Sequence, residues 1–247
     1  MEHLSLSAEK IWYWGPLPIT NSLIATWIVG GALIIFALYL RFSLRLIPLK
    51  IQNLTEIIVE GFYQLVQKTL GPRADYFFPL IFTFFIYITF LNWFGLIPGV
   101  GTIGIYKTIY EEGHLKETFV PLLRGGSADL NTTLALALIS VILTQIWGFK
   151  TLGWRNHLQK YFNFKSFIRF FTGILELVSE LARIISFAFR LFGNIFAGEV
   201  LLAVVASLVP LFAPLPFLGL EIFVGVVQAL VFSMLTAVFI KMATSHH

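Results

Sequence analysis

The chain has 247 residues, of which 57% are hydrophobic and only 12% are charged, and it contains no cysteine. Its mean hydropathy of +0.84 corresponds to more apolar surface than a soluble domain can bury, which indicates a polytopic protein of the lipid membrane, and the lack of cysteine excludes disulfide and thiolate chemistry. The net charge of +4 could suggest a nucleic-acid partner. The lysines and arginines, however, are distributed among the connections as expected for a membrane protein, so no nucleic-acid partner is expected.

Three apolar stretches are each long enough to cross a bilayer as a helix. They cover residues 22–40, 77–97 and 130–149 and contain no formal charge. A run of about 20 apolar residues matches the thickness of the hydrocarbon core, so we predict three upright transmembrane helices. Residues 1–21 lack the basic segment of a cleavable signal and are expected to form a short outer tail.

Residues 50–70 have an amphipathic pattern rather than a continuous apolar one. Leu54, Ile58, Phe62 and Leu65 form an apolar stripe, and polar residues lie away from it. The pattern is typical of a helix that lies along the inner membrane surface. It fits an ordinary amphipathic packing helix equally well.

The connections between the spans differ in charge. Residues 98–129 carry three bases and four acids, whereas residues 150–169 carry five bases and no acid. The positive-inside rule therefore predicts an outer amino terminus, a cytoplasmic 150–169 loop and a cytoplasmic carboxyl terminus.

The carboxyl-terminal half contains a stretch that is too long for an upright span. Residues 168–209 contain no proline, and a helix of these 42 residues reaches about 63 Å, roughly twice the hydrocarbon thickness. Pro210, Pro214 and Pro216 then favour a turn, and residues 217–243 return. We predict a steeply tilted helical hairpin over 166–209 and 217–243.

Arg190 lies inside this apolar stretch, and no acid stands one helical turn before or after it. An ionised side chain in hydrocarbon costs several kcal/mol and by default marks an ion path. A guanidinium cannot escape that cost by losing its proton. The counter-charge of Arg190 must therefore come from elsewhere, and another protein could supply it.

The helical period places other polar residues around Arg190. One face about 80° wide carries Glu176, Glu180, Arg183, Arg190 and Asn194, and Glu199 falls on the opposite side. A structural membrane helix in which Glu180 pairs with Arg183 is the alternative, but it leaves Arg190 unexplained.

The helical rise also gives depths for the polar residues of the hairpin. Arg190 comes out about 15 Å and Gln228 about 13–14 Å from the outer turn, both near the midplane. Glu199 and Glu221 come out about 6–8 Å deep on the outer side. The inner side carries Glu176 and Glu180. Acidic residues on both sides of a midplane arginine indicate two half-channels that are offset from one another.

Four further polar residues are expected at the outer face: Asn92, Ser127, Asp129 and Asn131. Taken singly, Asn92 is typical of a helix–helix contact and Asp129 of a helix N-cap. Taken together, the four suit a water-filled vestibule.

The segment RLFGNIFAGE, the later apolar segment with Gln228 and the terminus FIKMATSHH resemble subunit a of the rotary F-type ATP synthase, and the resemblance covers the whole chain in segment order. It implies an all-α polytopic membrane protein that acts as the proton-translocating stator. Proton flow through two half-channels would then be coupled to rotation of the c-subunit ring and to ATP synthesis. The implied partners are the c-ring, peripheral-stalk b subunits and protons, in a bacterial plasma (inner) membrane. No cofactor, metal or catalytic chemistry of its own is implied.

The same resemblance implies roles for the polar residues. Arg190 would be the essential arginine, with Asn194 and Gln228 as its polar neighbours. The outer path would contain Asn92, Ser127, Asp129, Asn131, Glu199 and Glu221. The inner path would contain Glu176, Ser179 and Glu180. Some members of the family have a histidine where this chain has Glu221, so two carboxylates share the outer site here, and one is expected to hold a proton at neutral pH.

Two other classes are less consistent with the sequence. A stand-alone proton or cation transporter should show paired half-repeats with broken helices, and none is found. An intramembrane enzyme would need a nucleophile–base pair or metal ligands, but all five histidines lie outside the predicted spans. Whether H⁺ or Na⁺ is carried is decided by the binding site on the partner.

Overall fold

The computed structural model describes residues 8–48, 50–111, 114–154, 157, 161, 167–209 and 212–244. Its long helices are α1 Asn21–Ser43, α2 Lys50–Leu70, α3 Ala74–Leu96, α4 Leu130–Leu152, α5 Phe167–Leu208 and α6 Pro214–Thr244. Within the described residues, five helical stretches are long and apolar enough to cross a membrane, with α2 and α3 counted as one. The predicted all-α polytopic membrane fold is thereby confirmed. The upright and tilted orientations stay predictions.

The helix bounds differ from the predicted ones by a few residues. Helix α6 begins at Pro214, three residues before the predicted start, because a proline in the first turn of a helix needs no N–H partner. Helix α3 begins at Ala74 instead of residue 77 and contains Pro79. Residue 166, where the long helix was predicted to begin, and Pro210 in the predicted turn lie outside the described residues.

Two short antiparallel hairpins lie in segments that are predicted to be on the outer side and for which no secondary structure was predicted. Strands β1 Lys10–Trp14 and β2 Leu17–Thr20 form the first. Strands β3 Gly104–Glu111 and β4 His114–Pro121 form the second. Gly15 has a φ of +62° between β1 and β2, a left-handed conformation that glycine adopts without steric cost. The first hairpin leads directly into α1, whose N-cap Thr20 accepts from the backbone N–H of Leu23.

The described residues form two compact units. The first unit takes in the described residues within 1–44, 86–132 and 192–229, and the second takes in those within 45–85, 133–191 and 230–247. Helices α3, α4, α5 and α6 contribute residues to both units.

Packing in the second unit uses a face of the 50–70 helix that shares only one residue with the predicted apolar stripe. Only Phe62 of the four stripe residues is buried; Leu54, Ile58 and Leu65 are exposed. The packed face consists of Phe62, Val66 and Leu70, which join a core cluster with α3 and α6. The helix exists as predicted, and its position along the membrane surface stays a prediction.

Candidate functional site

Arg190 lies on the exposed side of α5. Ser186, Phe189 and Gly193 beside it are exposed, whereas Ala188 and Leu191 are fully buried. No ion pair to Arg190 is found among the residues that the structure describes. The charge that the sequence analysis could not neutralise locally is therefore not neutralised within the described chain either.

The exposed side around Arg190 is lined by small residues. Ala182, Ser186, Gly193 and Ala197 are all exposed, and the helical period places each within about 80° of Arg190. Small side chains let a neighbouring helix approach the backbone closely. Ser179 is also exposed on this side.

An ion pair joins α5 to the segment that follows β4 in the first unit. Nη2 of Arg124 lies 3.3 Å from Oε2 of Glu199, and Nε of Arg124 lies 3.4 Å from the same oxygen. Both side chains are mostly buried. Gly125 leaves room for the carboxylate, because a Cβ there would lie 3.1 Å from Oε1 of Glu199 and 3.3 Å from Cα of Gly95.

Glu221 lies beside this pair in the first unit. It is 6% exposed, and its carboxyl group fills the space that a Cβ on Gly198 would occupy. Glu199 is the next residue after Gly198 along α5. The structure thus brings Glu199 and Glu221, the two acids predicted to share a site, to neighbouring positions on α5 and α6.

Asn92 and Ser127 are also brought together in the first unit. Ser127 Oγ donates to Oδ1 of Asn92 over 2.5 Å, and Nδ2 of Asn92 donates to the carbonyl of Gly225 over 3.0 Å. Asn92 therefore makes the helix–helix contact that was one of its two interpretations. The hydrogen bond from Ser127 also places a second polar side chain next to Asn92.

Asp129 caps α4 and anchors α1 in the same unit. Its Oδ1 accepts from the backbone N–H of Asn131 over 3.0 Å and from the side-chain amide of Asn131 over 3.2 Å. Its Oδ2 accepts from Ser22 Oγ over 2.7 Å. The N-cap interpretation of Asp129 is thus observed, together with a buried contact to α1.

A polar cavity lies in the second unit between α4, α5, α6 and the α4–α5 connection; it is called the inner cavity below, after the predicted side. Its lining consists of Gln145, His157, Tyr161, Glu176, Glu180, Arg183, Phe239, Met242 and Ala243. Arg183 pairs with Glu180 over 2.9 Å and lies over the ring of Phe239 at 3.8 Å. The local Glu180–Arg183 pair that the sequence left open is therefore present, and Glu176 lines the same cavity.

The grouping of Asn194 and Gln228 with Arg190 stays a prediction. Arg190 belongs to the second unit, whereas Asn194 and Gln228 belong to the first. Gln228 is buried and Asn194 is half-buried.

Sequence reasoning missed several residues of these clusters. Arg124 was considered only as one of the charges of the 98–129 connection, although an arginine next to a predicted polar vestibule could have been identified as a site residue. Gln145 is an amide near the end of a mostly apolar span, a signal that was not used. His157 was excluded because it lies outside the spans, and nothing local in the sequence marks its burial.

Comparison with known proteins identifies the family of this chain. Residues 23–241 match the family model described as ATP synthase A chain. ATP synthase subunit a of Moorella thermoacetica is 30% identical over 231 residues, covering 94% of each chain. ATP synthase subunit a of Desulforamulus reducens is 36% identical, covering 96% of this chain and 85% of the relative. The protein of the same name from Desulfotalea psychrophila is 36% identical, covering 90% and 83%. The chain therefore belongs to the ATP synthase A chain family and is an integral membrane component of ATP synthase.

Proposed function

We propose that this chain is the proton-translocating stator of an F-type ATP synthase. It provides two offset half-channels, separated by Arg190 at the membrane midplane, that couple proton flow to rotation of a c-subunit ring. The chain contributes no catalytic step of its own.

The exposed charge of Arg190 is the observation that carries this proposal. A permanent cation on an apolar helix, without an ion pair among the described residues, needs a counter-charge from a partner in the membrane. The small residues around it allow a partner helix to come close. A carboxyl group on each c subunit fits this requirement. At about 4 Å and an effective dielectric near 20, the attraction between the two charges is about 4 kcal/mol.

The same charge keeps the two half-channels separate. A continuous row of ionisable groups across the membrane would leak protons, because each group could pass a proton to the next. A fixed cation at the midplane opposes a proton that approaches it in a low dielectric. A carboxylate on the ring can pass the arginine only after it has released its proton, so each step of rotation is tied to one proton.

The outer half-channel is assigned to the polar residues of the first unit. Glu199 and Glu221 are neighbours there, and the Asn92–Ser127 and Asp129–Asn131 pairs supply further hydrogen-bonding groups. Two adjacent carboxylates do not readily ionise together, so one of them can hold a proton in transit.

The inner half-channel is assigned to the inner cavity of the second unit. Glu176 and Glu180 line it, and Ser179 is exposed on the same helix. A proton that enters on the outer side, travels round on the ring and leaves here releases about 2.3 kcal/mol per 100 mV of membrane potential.

Purification tests this proposal against the stand-alone transporter. The chain is tagged at its carboxyl terminus, extracted in a mild detergent and isolated by affinity. A stator should carry with it a c-ring, peripheral-stalk subunits and ATP hydrolysis activity. A chain that comes out alone and conducts protons in vesicles would be a transporter.

A further inference from the structure

The inner cavity contains a histidine, His157, to which the proposed function gives no part. His157 is 1% exposed, although it lies in the connection between α4 and α5. Its Nε2 lies 2.8 Å from Oε1 of Gln145, and the hydroxyl of Tyr161 donates to the same oxygen over 3.2 Å. Because an amide oxygen only accepts, the neutral imidazole carries its hydrogen on Nε2 in this arrangement.

The chain makes room for this ring at one glycine. A Cβ on Gly148 would lie 2.5 Å from Cε1 and 2.9 Å from Nδ1 of His157, and 3.3 Å from the carbonyl oxygen of Ala243. The imidazole therefore fits into a recess of α4 next to the last turn of α6. The carbonyls in the last turn of a helix have no partner within it and favour a nearby cation.

The charged neighbours of His157 can be named element by element. Helix α5 contributes Glu176, Glu180 and Arg183 to the lining, whereas α4 contributes only Gln145 and α6 only Phe239, Met242 and Ala243. At the carboxyl end of α6, Arg73 donates to the carbonyl of Thr244 over 2.9 Å. Lys241 of α6 is exposed, and Lys150 of α4 lies over the ring of Trp147.

Tyr161 does not compete with His157 as a titrating group. Burial, followed by the charge of Glu180, raises the pKa of Tyr161 to about 12, so it stays protonated at physiological pH. An imidazole ordinarily titrates near pH 6.5. Imidazole is the side chain whose charge can respond to pH between 5 and 8, and His157 is the imidazole in the described lining of the inner cavity.

We propose that the inner cavity holds water as a segment of the inner proton path and that the charge of His157 controls proton passage through it. The proposal rests on the proposed function and on a cytoplasmic position of the 150–169 loop. The polar lining offers the two to four partners that a buried water needs. Neutral His157 leaves Arg183, paired with Glu180, as the cation of the lining. Protonated His157 adds a second cation, which repels incoming protons and stabilises the Glu176 and Glu180 carboxylates against taking one up.

The test is ATP-driven proton pumping in inverted membrane vesicles that contain the whole synthase. The bath then faces the inner path, and the pumping rate is read from fluorescence quenching between pH 5.5 and 7.5. In His157→Gln the second cation cannot form. Because acidification favours the protonated imidazole in the wild type but has no such effect on glutamine, the ratio of the variant rate to the wild-type rate should rise as the bath is acidified. The soluble head is the same in both, so its own pH dependence cancels in the ratio.

Two variants control for packing effects. Tyr161→Phe removes a hydroxyl from the same lining but no charge, and its ratio to wild type should stay constant with pH. Gly148→Ala keeps the imidazole but fills its recess; should His157→Gln fail to assemble on a native gel, a flattened pH profile in Gly148→Ala supports the proposal. A pH-independent ratio for an assembled His157→Gln, or an unchanged profile for Gly148→Ala, overturns it.

Arg190→Ala in the same vesicles separates this inference from the proposed function. If Arg190→Ala abolishes pumping and the His157→Gln ratio does not vary with pH, only the proposed role of His157 is refuted. Normal pumping in Arg190→Ala would remove the proposed function itself.

Discussion

Arg124 and Glu199 form a mostly buried ion pair, 3.3 Å from Nη2 to Oε2, between the end of the second hairpin and α5. A proton that arrives at Glu199 cancels the carboxylate charge that Arg124 contacts. The arginine is therefore coupled to each protonation of Glu199, and a loop outside the long helices takes part in the proposed outer half-channel.

This coupling predicts that substitutions at the two positions are not additive. Arg124→Gln and Glu199→Gln should each slow pumping, and the double variant should be little worse than Glu199→Gln alone. Interaction energies of about 0.5–3 kcal/mol are usual for directly contacting residues. Rates in vesicles, corrected for the amount of assembled enzyme, give the cycle. Arg45→Gln, on an exposed residue of the other unit, is the control and should be additive with Glu199→Gln. An additive Arg124 cycle would mean that the pair has no part in proton uptake.

Gly198 is predicted to be essential for the position of Glu221. A methyl group there would overlap with the Glu221 carboxyl group, so Gly198→Ala should displace the carboxylate and slow outward-facing proton exchange severalfold without opening a leak. Gly219→Ala is the matched control on α6, because a Cβ there meets nothing within 4 Å. ATP synthesis driven by an imposed proton gradient measures the effect. Equal rates in the two variants would show that the close contact has no consequence for transport.

The Asn92–Ser127 contact is predicted to stabilise the first unit. Asn92→Leu removes hydrogen bonds to Ser127 and to the Gly225 carbonyl and leaves both groups without that partner, at a cost of about 1–3 kcal/mol. Asn131→Ala, which removes one bond on an exposed side chain, should cost less. Thermal unfolding of the purified complex in detergent compares the two. A larger loss in Asn131→Ala would contradict this ranking.

The predicted topology can be tested by labelling, because the chain has no cysteine of its own. Gly101→Cys places a single thiol at an exposed position in the loop before the predicted third span. Thr151→Cys places a single thiol at an exposed position just after that span. A membrane-impermeant maleimide should label residue 101 only from the outer side and residue 151 only from the cytoplasmic side. The cysteine-free parent shows the background. Labelling of both from one side would overturn the charge-based orientation.

Much of the helical framework could be predicted because membrane spans depend on local hydropathy and length. Helix α4 begins at the predicted Leu130, and the long helix α5 follows from the absence of proline. The start of α6 was placed too late because Pro214 and Pro216 were interpreted as a turn, although prolines also suit a first helical turn. The β3–β4 hairpin was not predicted, because the charges of the loop were considered and its pattern of strand-forming residues was not.

The polar clusters could be predicted only in part. Periodicity along one helix places Glu199 opposite Arg190, but it cannot show which loop residue reaches Glu199. Arg124 reaches Glu199 through a tertiary contact between residues 75 positions apart, next to the close approach of Gly125 to Glu199. His157 is buried for the same kind of reason, since its recess is formed by Gly148 and the end of α6. Such contacts join distant parts of the chain and leave no local pattern.

The central claim is that Arg190 separates the two half-channels, and Arg190→Lys tests it most directly. Lysine formally keeps the charge, but an ammonium can lose its proton when desolvated and cannot present a planar fork to a carboxylate. A structural cation would tolerate this change with a loss of stability only. We expect ATP-driven pumping to be abolished in inverted vesicles, as measured by fluorescence quenching, while a native gel shows normal assembly with the c-ring. Pumping at the wild-type rate in assembled Arg190→Lys would contradict the account.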